Sequence, residues 1–244
     1  LKLAIEIFDF HELEVADKWR KQNPERNQFL PRSQNGRWSW YRCHQKGQMK
    51  INFIREGIGS AMDQPTLFEW LSAFPQSYRF AAVLGDPIHH SYTPIEHLDF
   101  FHQRGLAVHR IQISANEMAN GGFEFLKSMG LSYAAVTSPL KISAFQLSQS
   151  RSPMANELKA ANTLFVAPNE VCCHNTDQMG LEELLEEYKD CRNIAVWGGG
   201  GTLTAILKTL PQSVSYSVRT GLARNENQSR SATQTKDQME PFKP

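Results

Sequence analysis

Ala134-Ala135-Val136-Thr137-Ser138-Pro139-Leu140-Lys141 is the stretch on which the reading of this chain turns. An apolar strand, 131–136, runs into a tight corner and then into a helix, 139–147. A lysine in the first turn of a helix opposes the helix dipole, so Lys141 needs another reason to be there. A second corner, His174-Asn175-Thr176-Asp177, lies further along, between a short strand and a helix over 177–188. Taken separately, Lys141 reads as a solvated lysine and Asp177 as a helix cap. Taken together they make an acid/base pair able to move a proton at a substrate oxygen.

Outward from these corners, strands and helices alternate. The pattern predicts a strand over 80–85, a helix over 94–103, a strand over 107–113 and a helix over 115–129. Residues 163–166 and 171–173 read as a hairpin. Over residues 77–190 this predicts an α/β domain, a mainly parallel sheet with helices on both faces. Residues 1–76 read as strand 1–7, helix 11–22, a strand mouth at Trp38–Arg42, a short strand 51–54 and a helix 65–74. They alternate without completing a sheet of their own. Residues 191–224 read as strand 193–197, helix 202–210 and strand 213–217. Residues 225–244 hold few apolar side chains and read as a disordered tail.

Bulk properties bound the function. The 244 residues are 41% hydrophobic and 21% charged, with a formal net charge of +1. Near-neutrality without a Lys/Arg run argues against a nucleic-acid partner. No apolar run reaches the ~18 residues of a membrane span. Cys43, Cys172, Cys173 and Cys191 form no Cys-x-x-Cys pair. They read as reduced thiols of a cytoplasm-like compartment rather than as metal ligands.

Two further corners carry chemistry. Within Gly85-Asp86-Pro87-Ile88-His89-His90-Ser91-Tyr92-Thr93-Pro94, the hydroxyls of Ser91 and Thr93 precede a helix and suit a small carboxylate. The plainer reading is a Thr93 N-cap with Pro94 behind it. Gly198-Gly199-Gly200-Gly201 follows a strand and opens a helix, the setting of a dinucleotide site. Gly198, Gly200 and Gly201 would let the backbone approach a pyrophosphate. The next strand ends Ser217-Val218-Arg219-Thr220. An arginine there suits a 2′-phosphate, which points to NADP.

In order, Gly85–His97, Val136–Lys141, Ala160–Thr163, Asn175–Asp177 and Gly198–Gly201 resemble the motifs of the shikimate dehydrogenases. The resemblance implies NADPH-dependent reduction of 3-dehydroshikimate to shikimate. It implies that Ser91 and Thr93 hold the substrate carboxylate, that Thr137 and Asn162 hold ring hydroxyls, and that Lys141 and Asp177 move the proton. Gly198, Gly200, Gly201, Arg219 and Thr220 would hold NADP. Thr93 replaces a serine of the family pattern, and Val218 replaces an asparagine. Quinate dehydrogenase and a non-catalytic shikimate-binding module remain open alternatives.

Residues 1–76 resemble the closing segment of a type I 3-dehydroquinate dehydratase, the last part of a (β/α)₈ barrel. Lys2 falls where a Schiff-base lysine stands, Arg42 at a substrate arginine, and Ser60 and Gln64 in a Ser-Ala-x-x-Gln loop. That order resembles the bifunctional dehydratase/dehydrogenase enzymes of plants and chlamydiae. The resemblance leads to the expectation that the chain is cut at both ends. Residues 191–224 would then be only the start of a Rossmann domain, and turnover would be impaired.

Overall fold

The computed structural model describes residues 1–74, 78–188, 190–191, 193–197, 202–210, 215–219 and 232–234. Strands β1 (Lys2–Glu6) and β2 (Gln28–Arg32) pair in parallel, connected through the helix Phe10–Gln22. Asp9 caps that helix by accepting from the Glu12 N–H, and its apolar face buries Phe10, Leu13 and Ala16.

The central sheet has six strands. They are β3 (Phe80–Gly85), β4 (Ala107–Gln112), β5 (Leu131–Val136), β6 (Ser150–Arg151), β7 (Thr163–Val166) and β8 (Val171–His174), in the order β4-β3-β5-β7-β8-β6. The β3–β4, β3–β5 and β6–β8 pairs are parallel; β7 runs antiparallel to both β5 and β8. The sheet is therefore mixed and mostly parallel. Gly130 turns the chain into β5 with φ +102°, where a side chain would collide with the Tyr78 carbonyl.

A third sheet joins β9 (Asn193–Trp197), β10 (Ser215–Arg219) and β11 (Ala232–Gln234). β9 and β10 are parallel around the helix Leu203–Thr209, and β11 closes antiparallel on β10. Within 225–244, the stretch read as a tail, Ala232-Thr233-Gln234 pairs with the edge of β10. The remainder of that stretch lies outside the described residues.

Register puts Ala82, His109, Ala134, Leu164 and Cys173 on one face of the central sheet. That face is buried by Phe123, Phe125 and Leu126 and by the first region of the chain. Trp40 lies 6.1 Å from Phe80 between ring centroids, and Phe10 lies 5.2 Å from Trp38 and 6.3 Å from Phe125. One core thus crosses from residues 1–44 into the sheet. The Trp38 indole N–H donates to the Ile7 carbonyl at 2.9 Å, so this buried polar group is satisfied.

Two local expectations fail in the first region. Trp38–Arg42 is not a strand mouth; Ser39–His44 is a helix that buries Trp40, Tyr41, Arg42 and Cys43. Residues 51–54 form no strand, and Ile51, Phe53 and Ile54 stay 43%, 46% and 47% exposed. Asn52 instead uses its side chain to hold Arg42. The helix expected over 115–129 is interrupted at Asn120 and Gly121, whose dihedrals are not helical.

The entry to that helix also fastens the first region. Ser114 and Glu117 form a reciprocal capping box, and Arg37 donates to the same Glu117 carboxylate at 2.8 Å. Ser114→Ala is expected to lower stability by about 1 kcal/mol through the lost cap. A shift in the urea midpoint at unchanged slope checks it.

Candidate active site

Lys141 begins the helix Lys141–Leu147, and the buried Leu140 beneath it fixes the corner. Its ammonium reaches Asp177 Oδ2 at 2.6 Å. The two side chains are 14% and 18% exposed, so solvent screens the pair less than it would on an open surface. The sequence-predicted pair therefore meets.

The loops that present these residues are locked to one another. The Asn162 N–H donates to the His174 carbonyl at 3.1 Å, and the Asn162 carbonyl accepts from the Val136 N–H at 2.7 Å. Buried Asn175 donates to the Ala160 carbonyl at 3.0 Å and accepts from the Asp177 N–H at 2.9 Å. Asn175 thus joins two motifs that are distant in sequence.

Asn162 completes the cluster. Its amide donates to Asp177 Oδ1 at 2.8 Å and to the Thr176 hydroxyl at 2.9 Å. Both Asp177 oxygens are engaged, one by lysine and one by amide. This fixes the carboxylate rotamer and aims the lysine.

A cleft of about 580 Å³ opens beside this cluster, lined by Thr93, His97, Phe101, Tyr133, Asn162 and Thr176, among others. Its lining is mostly apolar with a few polar side chains, the usual form of a small-molecule site. Thr93 is thereby brought to the same cavity as Asn162. Thr93 begins a short helix rather than capping it, and the Ser91 hydroxyl accepts from the Thr93 N–H at 3.3 Å. The N-cap role expected of Thr93 is therefore not seen.

Thr137 sits where the β3 and β5 corners touch. A methyl group on Gly85 would fall 2.5 Å from Thr137 Cγ2 and 3.0 Å from Ile88 Cδ1. Gly85→Ala is expected to cost about 1–3 kcal/mol by overpacking and to displace Thr137. Denaturant unfolding measures the first effect, and weaker ligand binding the second.

Arg219 pairs in register with Trp197, the residue before the glycine run. Arg219 and Trp197 thus stand side by side at the C-terminal ends of the parallel pair β9–β10. Gly198, Gly200, Gly201 and Thr220 lie outside the described residues, as does Gly199.

Among the dehydratase-like residues, the Lys2 ammonium lies 4.6 Å over the Phe53 ring. Arg42 donates to Asn52 Oδ1 at 3.0 and 2.8 Å and to the Phe53 carbonyl at 3.3 Å. Those two residues converge on one segment. Ser60 and Gln64 bond each other, with Gln64 Nε2 2.8 Å from the Ser60 hydroxyl.

Sequence reasoning missed Thr202, whose hydroxyl accepts from Lys141 at 2.7 Å. Its one signal is its place immediately after the glycine run. It also gave Asn175 no role. Among the described residues, no group of three or more His, Cys, Asp or Glu side chains could hold a metal ion. No described helix is long and apolar enough to cross a membrane.

Comparison with known proteins gives a likeness over part of the chain. Residues 83–164 match the family model "Shikimate dehydrogenase substrate binding domain". The NADP(+) shikimate dehydrogenase of Helicobacter hepaticus is 36% identical over 132 residues, covering 54% of this chain and 48% of that protein. That of Bacillus mycoides is 30% identical over 133 residues, covering 52% and 48%. The shikimate dehydrogenase structure from Mycobacterium tuberculosis aligns with a TM-score of 0.44 at 30% identity, covering 61% of this chain and 56% of that one. The chain spans about half the length of the curated relatives it matches. Over residues 83–164, with the mixed, mostly parallel α/β sheet that carries the Lys141 and Asp177 corners, this chain is similar to the substrate-binding domain of the shikimate dehydrogenases.

Proposed function

We propose that this chain binds shikimate and takes part in the NADP-linked interconversion of 3-dehydroshikimate and shikimate. The observation that carries the proposal is the half-buried Lys141–Asp177 pair at 2.6 Å, bonded through Asp177 to Asn162, which lines the cleft together with Thr93. The similarity of residues 83–164 to a substrate-binding domain supports it. Both curated relatives described above are named as NADP(+) enzymes.

In the reducing direction, a Lys141 N–H donates to the substrate carbonyl oxygen, and its proton passes to that oxygen as the alcohol forms. Asp177 holds the ammonium in place before transfer. Asn162 fixes the carboxylate, and its amide can turn from Thr176 to a ring hydroxyl. Thr137 borders the same corner and supplies a second hydroxyl contact. Ser91 and Thr93 accept the carboxylate end of the substrate. NADPH, when bound, supplies the hydride; the glycine run 198–201 and Arg219 would hold it.

We read residues 1–76 as related to the closing segment of the dehydratase, on the strength of the parallel β1–β2 unit and the convergence of Lys2 and Arg42. Arg42 is 2% exposed and committed to Asn52. The proposed activity therefore rests on the Lys141 site alone.

Calorimetric titration with shikimate and with quinate, followed by NADP-linked oxidation of each, tests the proposal. Saturable shikimate binding stronger than quinate binding is expected. No heat with either ligand up to millimolar concentration would sink it.

A further inference from the structure

Lys141 is held from two sides. Asp177 Oδ2 lies 2.6 Å from its nitrogen, and the Thr202 hydroxyl lies 2.7 Å away. An ammonium has three donors. Two acceptors on different elements fix the direction of the third, which is the one left for a substrate oxygen. Asn162 and Thr176 reach or adjoin Asp177 rather than Lys141. Among the described residues, Thr202 is the other side chain that bonds the lysine.

The element that carries Thr202 is anchored. Ala205 and Leu210 are 0% and 1% exposed. Lys208 pairs with Glu157 at 2.8 Å, tying the helix Leu203–Thr209 to the helix Pro153–Leu158. The hydroxyl is thus presented by a fixed helix, directly after the glycine run.

We propose that Thr202 is a positioning residue for the proton-transfer pair, fixing the Lys141 amine from the glycine-run side as Asp177 fixes it from the other. The proposal rests on the shikimate-site reading for its role in the reaction.

The test is competitive acylation of the full chain with acetic anhydride, without ligand. Lys141 modification is measured by mass spectrometry and normalised to the other lysines. Thr202→Val and Thr202→Ala are expected to raise the Lys141 rate by about tenfold, since a hydrogen bond to a charged group is lost. Thr202→Ser, which keeps the hydroxyl, is expected to stay within about twofold of the unsubstituted chain. Circular dichroism confirms folding, and the alanine variant serves if the valine does not fold. Equal rates in all forms overturn the proposal; so does a rise in the serine variant as large as in the valine.

Shikimate titration of the same variants separates the two readings. About tenfold weaker binding in Thr202→Val, rescued in Thr202→Ser, is expected. If the unsubstituted chain fails to bind shikimate while the acylation effect persists, the substrate reading falls and the positioning of Lys141 stands. If shikimate binds but Lys141 reactivity ignores Thr202, the positioning falls and the substrate reading stands.

Discussion

Lys141→Met is expected to lower turnover of 3-dehydroshikimate by about a thousandfold, within the range that removal of a general acid/base produces. Methionine keeps most of the length and volume of the stem, so the corner at Leu140 and the helix behind it should persist. What disappears is the group proposed as proton donor. Asp177 retains its bond from Asn162 and stays in place, but its Oδ2 loses the lysine. Shikimate affinity should fall less, by about tenfold, because one charged hydrogen bond to a ring oxygen is missing. Arginine should not rescue, since a planar fork cannot occupy the point position of an ammonium between two acceptors. Steady-state kinetics and calorimetry on the unsubstituted, methionine and arginine chains check this. Turnover of the methionine chain within about tenfold of the unsubstituted one would exclude Lys141 as the proton donor.

Mild acid should unfold the protein through the seam between its first region and the sheet. His109 on β4 is 6% exposed; burial, then the nearby His44, brings its pKa down to about 3. Burial likewise brings His44 down to about 4, against a contrary pull from the Met129 carbonyl. His44 lies 2.9 Å from that carbonyl, and the two imidazoles are 6.0 Å apart. Both rings are therefore neutral in the folded chain and take up protons near pH 6.5 once unfolded. Above that pH neither contributes. As pH falls from about 6.5 towards 4 and then 3, the unfolded state binds protons that the folded state refuses, and stability is lost. At pH 5 each histidine should cost about 2 kcal/mol. Urea unfolding at pH 7 and pH 5 measures the loss, and His109→Leu should remove about half of it. A chain equally stable at both pH values, or a leucine variant with the same slope as the parent, would contradict this account.

The central sheet was legible because its strands are bounded by glycine and by helices of clear period. Phe80–Gly85, Ala107–Gln112 and Leu131–Val136 fall within a residue of their expected limits. The hairpin of β7 and β8 was legible from its turn, Pro168-Asn169-Glu170. Trp38-Ser39-Trp40-Tyr41-Arg42 was misread because consecutive aromatics satisfy neither helical nor strand spacing. Tertiary burial of Trp38, Trp40 and Tyr41 decides that segment, and no local pattern reports it. At the site, Lys141 and Asp177 could be picked out because each stands at a corner with a chemical alternative to capping, whereas Asn162 was reached only through the resemblance of the ordered motifs. Thr202 could not be, since a threonine at a helix start has an ordinary explanation and its partner lies far away in sequence.

The continuous aromatic core has a consequence for how this chain can vary. Trp40 touches Phe80 and lies 6.5 Å from His109, and Phe10 meets Phe125, so side chains before residue 45 and after residue 79 share the same space. A change of volume on one side must be answered on the other. The segment between them is tied to the same seam, since fully buried Asp63 accepts from the Trp38 N–H at 2.8 Å and Asn52 holds Arg42, and the two surfaces it joins are constrained to drift together. A first region borrowed from a distant relative would arrive with the wrong shape for this sheet.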